Sequence, residues 1–251
     1  MDVREFQPFG SSHLFALSVT VVVGVLMISL QRSPVMSARW KRAAILVLAV
    51  LLAMSVLVDP VLIWWRYSGV DRALASRLVT ETGWPFHFCD IASLTCAAAL
   101  VCKNQRIAEL GYLWGVAGTA QGLLTPNLFF EWWKPEYWAF FIQHGGTPVA
   151  GVTLAFGMGL APQPGAVRRA ILWGILYLLV AGLANWLLEA CFTGVYPNYG
   201  FVCAKPTAGS LLDFLGPWPW YLLALVVVAI VLFNLLCLLW SIRDHHNRPG
   251  S

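Results

Sequence analysis

The feature that most constrains this chain is a recurring one: long apolar runs separated by short polar stretches. A helix rises 1.5 Å per residue, so about 20 apolar residues cross the hydrocarbon core of a bilayer. Seven runs come close to that length: His13–Leu30, Ala43–Trp64, Pro85–Cys102, Ile107–Thr125, Trp138–Leu160, Ala170–Ala190 and Trp218–Ile242. In lipid every backbone N–H and C=O needs a partner within the protein, which for runs of this kind means helices. The expectation is an all-α polytopic membrane protein, a bundle of seven transmembrane helices forming one domain over residues 1–251. Composition agrees. The chain is 59% hydrophobic and 11% charged, which excludes an ordinary soluble domain.

The net charge of +4 is spread over short loops, with no run that mixes basic residues and stacking aromatics. A nucleic-acid partner is therefore not expected. The 13 tryptophans suit aromatic belts at the membrane borders. Met1–Gly10 sets Asp2 and Glu5 against Arg4 and lacks the basic start of a cleaved signal peptide. The expected location is the cell membrane, as a multi-pass protein. Lys and Arg in alternate loops set the orientation. Arg32, Arg39, Lys41, Arg42, Lys103, Arg106, Arg168, Arg169, Arg243 and Arg248 fall on one side. Arg4, Arg66, Arg72, Arg77, Lys134 and Lys205 fall on the other. Ten against six puts the N-terminus outside and the C-terminus in the cytoplasm.

That topology gathers the polar residues near the outer face. Trp84-Pro85-Phe86-His87-Phe88-Cys89-Asp90 opens the third run, with Pro85 read at a first helical position. The fourth run ends in Gln121, Thr125 and Asn127, and the fifth carries Gln143 and His144. The sixth ends in Asn185 and Glu189, read on one helix face, and the following loop adds Asn198, Lys205 and Asp213. Ionisable groups at membrane depth are expensive, so their convergence points to a site. Cys89, in a first helical turn, is placed where the dipole favours a thiolate. With His144 as base it makes a nucleophile pair, and Asp90 or His87 can orient the base. The plain alternative is a small buried cysteine with helix-capping histidines, and Cys96 and Cys102 read that way.

His87, Cys89, Asp90 and His144 also offer metal-ligand atoms, but no pair has metal-site spacing, so no metal and no cofactor is expected. His245-His246 reads as solvated. Cys191 and Cys203 share an outer loop, where an oxidising compartment permits either a disulfide or two free thiols. Gly111, Gly115, Gly118 and Gly122 form a stripe that lets helices approach closely. Gly145-Gly146 gives the same freedom beside His144, and Asn234 reads as an interhelical hydrogen-bonding residue.

Several stretches form a recognisable set: Pro85–Asp90, Leu124-Thr125-Pro126-Asn127, Gln143-His144-Gly145, Asn198-Tyr199 with Lys205-Pro206, and Ser210–Asp213 with Leu215–Tyr221. In this order the set resembles the YwaF-type bacterial integral membrane proteins. The resemblance covers about Trp84 to Trp240, and the first two runs resemble the family only in being apolar. That family is distantly similar to an animal transmembrane acyltransferase that remodels ether phospholipids through a cysteine nucleophile. Further off are membrane hydrolases of fatty-acid esters that use threonine and histidine. The resemblance implies lipid acyl chemistry, with Cys89 at the cysteine position and His144 at the histidine position. The chain departs from the hydrolases in offering cysteine where they use threonine.

The expected function is a lipid acyltransferase or acyl-ester hydrolase with a Cys89–His144 pair aided by Asp90 and His87. Gln121, Thr125, Asn127, Gln143, Asn185, Asn198, Lys205 and Asp213 would bind the substrate, a membrane lipid. The alternative is a small-solute transporter or membrane sensor using the same polar cluster. Against that alternative, no run carries an evident break by Gly and Pro together, and no inverted repeat is visible.

Overall fold

A computed structural model describes residues 5–207 and 209–246, with side chains through residue 240. Arg4, Arg248 and the side chains of Arg243, His245 and His246 therefore lie outside the described residues. Every described element is helical. The helices are α1 (Ser11–Arg32), α2 (Ala38–Tyr67), α3 (Arg72–Leu78), α4 (Phe88–Cys102), α5 (Gln105–Leu113), α6 (Ala120–Leu124), α7 (Pro135–Val152), α8 (Ala166–Cys191) and α9 (Trp220–His246).

Among the described residues, four helices are long and apolar enough to cross a membrane: α1, α2, α8 and α9 over Trp220–Trp240. A fifth span results if Arg72–Gly83 and α4, bent by 62° to one another, count as one broken crossing. The remaining apolar runs are helical but interrupted. A π-helical turn at Trp114–Gly118 splits the fourth run into α5 and α6. Another at Thr153–Gly157 ends α7. Glycines fall in both turns, Gly115 and Gly118 in the first and Gly157 in the second, and Pro148 lies inside α7 ahead of the second. The interruptions are backbone register shifts, which occur often near functional sites.

Pro85 does not start a helix. Proline pushes the residue before it into extended backbone, and Trp84 has φ −76° and ψ 149°. His87 is still extended and caps α4, which begins at Phe88.

Within the bundle, α4 and α7 are the inner elements. Helix α2 packs along both, α5 closes on α4, and α1 lies against α7. One apolar cluster joins Met27, Leu48, Leu52, Leu100, Val149 and Leu154 from these helices. A second joins Ala92, Tyr112, Trp114, Ala170 and Phe233, bringing in α8 and α9. The outward faces of α1, α8 and α9 stay apolar, as expected of lipid-facing helices.

The glycine stripe brings the inner helices together. A Cβ on Gly111 or Gly115 would sit 3.2 or 3.3 Å from Cys96 Sγ on α4. One on Gly118 would sit 2.4 Å from the Phe88 ring, and one on Gly122 would sit 2.3 Å from the His144 ring on α7. The stripe therefore faces both helices that carry reactive groups, α4 and α7.

Two ends of the bundle are tied by polar contacts. At one end Glu109, 1% exposed, accepts from Arg169 Nη2 at 2.6 Å, Arg169 Nε at 3.0 Å and the Gln163 N–H at 3.2 Å. This joins α5 to the start of α8. At the other end Arg66 of α2 pairs with Glu136 of α7 and lies over the Phe130 ring. Arg77 pairs with Glu81 at 3.2 Å. Two of the basic residues on the minority side of the charge count are thus neutralised within the protein.

Removing one partner of a buried ion pair leaves the other uncompensated. Glu109→Ala is expected to lower stability in detergent by about 3–5 kcal/mol. Arg77→Ala, at a half-exposed pair, should change it by about 0.2–1 kcal/mol. Unfolding curves that rank the two variants the other way would refute this account of the helix ties.

Candidate functional site

The candidate site forms where the N-terminus of α4 meets the middle of α7. His87 donates its backbone N–H to Asp90 Oδ2 at 3.0 Å, the carboxylate half of a capping box. His87 and Asp90 are therefore joined through the cap. Their i, i+3 spacing suits two neighbours on one helix face, but His87 precedes the helix and does not take that place. Asp90 Oδ1 accepts from the Gln143 amide Nε2 at 2.7 Å and faces the Cys89 thiol at 3.9 Å. Asp90 is 6% exposed and Gln143 is 3% exposed. One carboxylate thus caps α4, fastens α7 to it and holds the thiol in view.

His144 follows Gln143 on α7. Its ring stacks on Phe140 with centroids 4.0 Å apart, and its Nδ1 lies 3.0 Å from the Phe140 carbonyl oxygen. A carbonyl only accepts, so Nδ1 carries the proton and Nε2 keeps its lone pair. Gly122 is required beside this ring, because any side chain would meet it. Among the described residues no hydrogen bond joins Cys89 to His144. Cys89 meets Asp90 on α4, and Gln143, the residue before His144 on α7, meets the same carboxylate. His87 and His144 are near enough to interact electrostatically.

The polar contacts continue inward. Thr147 donates to the Gln143 carbonyl at 2.6 Å and meets Ser93 of α4, oxygen to oxygen, at 2.6 Å. Cys96 donates to the Gly111 carbonyl at 3.3 Å and is fully buried, the packing role its sequence position implied. Asp59, inside α2 and next to Pro60, lies within electrostatic reach of both Cys89 and Asp90. The sequence reading passed over Asp59. It is the only acidic residue from 6 to 70, which was the available signal.

The loop between α8 and α9 covers the α4 N-terminus. Tyr199 packs on His87 with ring centroids 4.9 Å apart and on Phe86 at 5.4 Å. Its hydroxyl donates to the Thr80 carbonyl at 2.8 Å and accepts from the Trp84 N–H at 3.1 Å. Burial holds the Tyr199 phenol above its ordinary range, so it remains a donor. Tyr177 of α8 donates to the Phe86 carbonyl at 3.0 Å. These two tyrosines fix the entry to α4, and the sequence reading singled out neither of them for a role.

The residues expected to bind substrate separate into groups. Gln143 stands at the site. Gln121 precedes the glycine that faces His144, and its carbonyl accepts from the Thr125 hydroxyl at 3.1 Å within the helix end. Asn127 is exposed. Asn185 clamps the covering loop, accepting from the Tyr199 N–H at 2.8 Å and donating to its carbonyl at 3.1 Å. Glu189 is exposed while Asn185 is buried, so they do not act together. Asn198 ties the loop to itself through Cys203 and Ala204. Lys205 lies over the Tyr221 ring at 5.7 Å, and Asp213 caps a short turn by accepting from the Ser210 N–H at 2.8 Å. Asn234 donates to the Ile230 carbonyl of its own helix at 2.7 Å, not to a neighbouring helix. Cys191 and Cys203 are separate exposed thiols. Among the described residues no three His, Cys, Asp or Glu side chains converge as metal ligands.

A helical bundle with a polar centre at one end of its inner pair, wrapped in apolar helices, defines an integral membrane protein. The sequence model of the TMEM164 family matches residues 8–237, and the chain belongs to that family. The match includes α1 and α2, so the family signature reaches beyond the Trp84–Trp240 stretch that carried the resemblance. No curated protein and no solved structure matches the chain.

The Asp90–Gln143 bond is the tie between α4 and α7 at the site. A double-mutant cycle of Asp90→Ala and Gln143→Leu, read by unfolding in detergent, should give a coupling of about 0.5–3 kcal/mol. Simple additivity would show that the bond does not hold the two helices.

Proposed function

We propose that the protein is a lipid acyltransferase or acyl-ester hydrolase of the cell membrane, with Cys89 as nucleophile. The observation that carries this reading is the meeting of the Cys89 thiol and the Gln143 amide on one Asp90 oxygen, with His144 the next residue after Gln143 on α7. The sequence resemblance to YwaF-type proteins, and beyond them to an animal ether-phospholipid acyltransferase, supports the same chemistry. So does the tautomer of His144, whose Nε2 is left as the base.

In this reading an acyl ester enters laterally from lipid and presents its carbonyl to Cys89. The sulfur attacks the carbonyl carbon as the thiol proton passes to His144 Nε2. The tetrahedral oxyanion takes the second amide N–H of Gln143, whose first is held by Asp90. The ester C–O bond breaks, and the leaving oxygen receives the proton from His144. The acyl group then rests on Cys89 as a thioester. A lysolipid hydroxyl, or water, gives its proton to His144 and attacks the thioester, and that proton returns to the departing thiolate. Asp90 acts by position: it fixes the α4 terminus and the amide that serves the oxyanion. The seven apolar runs would form a seven-helix bundle, with α4, α5–α6 and α7 completing the crossings. The N-terminus would lie outside and the C-terminus in the cytoplasm.

A second reading has an observation of its own. The ladder Asp90–Gln143–Thr147–Ser93 runs inward between α4 and α7, and the bent pair and π turns are breaks of the kind that line transport sites. A small-solute transporter or sensor would use the ladder for binding, without acylating Cys89.

Lipid analysis of host membranes decides between them. Cys89→Ala and Cys89→Ser should both lose acyl remodelling, and His144→Ala should slow it by roughly 10²–10⁴-fold. Wild-type protein given a labelled acyl donor should carry the label on Cys89, released by hydroxylamine. An unchanged lipid profile in both cysteine variants, with no thioester on wild type, would favour the transporter.

A further inference from the structure

Four cations of this protein are paired with acids, and three of the others gather in one place. Arg66, Arg77, Arg106 and Arg169 each have an acidic partner. Lys41, Arg42 and Lys103 have none among the described residues, and the sequence from residue 6 to 58 contains no Asp or Glu to supply one. These three line a single cleft of about 410 Å³ between the first turn of α2 and the last turn of α4. Ile45, Leu46, Leu100 and Val101 complete its walls. The cleft is formed in part by Gln31 of α1, whose amide donates to the Lys41 carbonyl at 3.1 Å and fixes the α1–α2 turn.

Lys103 occupies the C-cap of α4 with φ 53°, the left-handed conformation that favours glycine. A cation at a helix C-terminus does suit the dipole. That effect asks for one charge, and the cleft has three. Leu46 and Val101 are 40% and 57% exposed, so the apolar walls continue onto the lipid-facing surface. A ligand that fits must carry negative charge at one end and hydrocarbon at the other.

We infer that this cleft binds an anionic phospholipid, its phosphate held by Lys41, Arg42 and Lys103 and its chains lying along Leu46 and Val101. Basic pockets between membrane helices recognise anionic headgroups by this combination. The site is independent of the acyl chemistry proposed above. Cys89 and Lys103 stand at opposite ends of α4, and 15 residues of helix separate the ends by about 22 Å.

The test uses the full chain purified in neutral detergent, with thermal stability followed during lipid titration. Dioleoylphosphatidylglycerol should stabilise the wild type at lower concentration than dioleoylphosphatidylcholine. The triple variant Lys41→Gln, Arg42→Gln, Lys103→Gln should bind phosphatidylglycerol roughly 100-fold more weakly, with its response to phosphatidylcholine unchanged. Arg42→Gln alone, at an exposed position that folding tolerates, should weaken it about fivefold. Arg168→Gln, at an exposed arginine outside the cleft, should leave it unchanged. Equal stabilisation by the two lipids would overturn the proposal, as would a phosphatidylglycerol preference that survives Arg42→Gln and the triple variant. If inorganic phosphate alone reproduced the full effect, the occupant would be a soluble anion and the lipid assignment would fail.

Discussion

The arrangement depends on one carboxylate. Asp90 sits at the third position of α4, where three needs coincide. The helix start has unpaired N–H groups, α7 has a buried amide, and the thiol of Cys89 requires a polar neighbour in an apolar bundle. A carboxylate with two oxygens can answer all three. A serine or asparagine could cap the helix as well, but neither offers the same acceptor capacity toward both α7 and the thiol. The pairing also sets the register of α4 against α7, and with it the level at which His144 enters the site.

Close approach is the second condition, and glycine supplies it. Gly111 and Gly115 admit Cys96, Gly118 admits the Phe88 ring and Gly122 admits the His144 ring. Without these gaps the interrupted helix α5–α6 could not touch α4 and α7 at once. The π turn at Trp114–Gly118 includes Gly115 and Gly118, one glycine from each half of the stripe. Both halves reach α7 as well as α4: a Cβ on Gly115 would sit 3.0 Å from the Thr147 carbonyl oxygen, and one on Gly122 would meet the His144 ring.

Much of this was legible in the sequence, and the reasons are physical. Hydropathy marks helices because lipid forbids unpaired backbone, so each of the seven runs falls on helical structure. That Cys89 and Asp90 of α4 would have a polar partner such as Gln143 was legible because polar groups at membrane depth are rare enough to stand out. Other features were hidden. A π turn is a one-residue slip in hydrogen bonding, and the glycines within the one at Trp114–Gly118 read as helix-packing residues instead. Asn185, Asn198 and Asp213 read as ligand contacts because their side chains can bond anything. The structure uses them on backbone, as short polar side chains often are used. Asp59 was hidden by its setting: a long apolar run averages away a single acid.

The two ends of the bundle treat charge in opposite ways, and that contrast bears on how the molecule sits in lipid. At the Asp90 end, acids are buried and met by amide, backbone and thiol groups, with Arg66 held by Glu136 at the margin. At the Glu109 end, one buried acid binds Arg169, and cations outnumber acids around it. The surplus at Lys41, Arg42 and Lys103 is not taken up by the protein. Such charges at a membrane border are stable only if water or an anionic surface neutralises them. A short α4 fixes both ends at once, since Asp90 near its start and Lys103 at its cap are parts of one rigid helix. If the proposed acyl chemistry draws lipid to the Asp90 end, the same helix sets the inferred charge-based hold on lipid at the other.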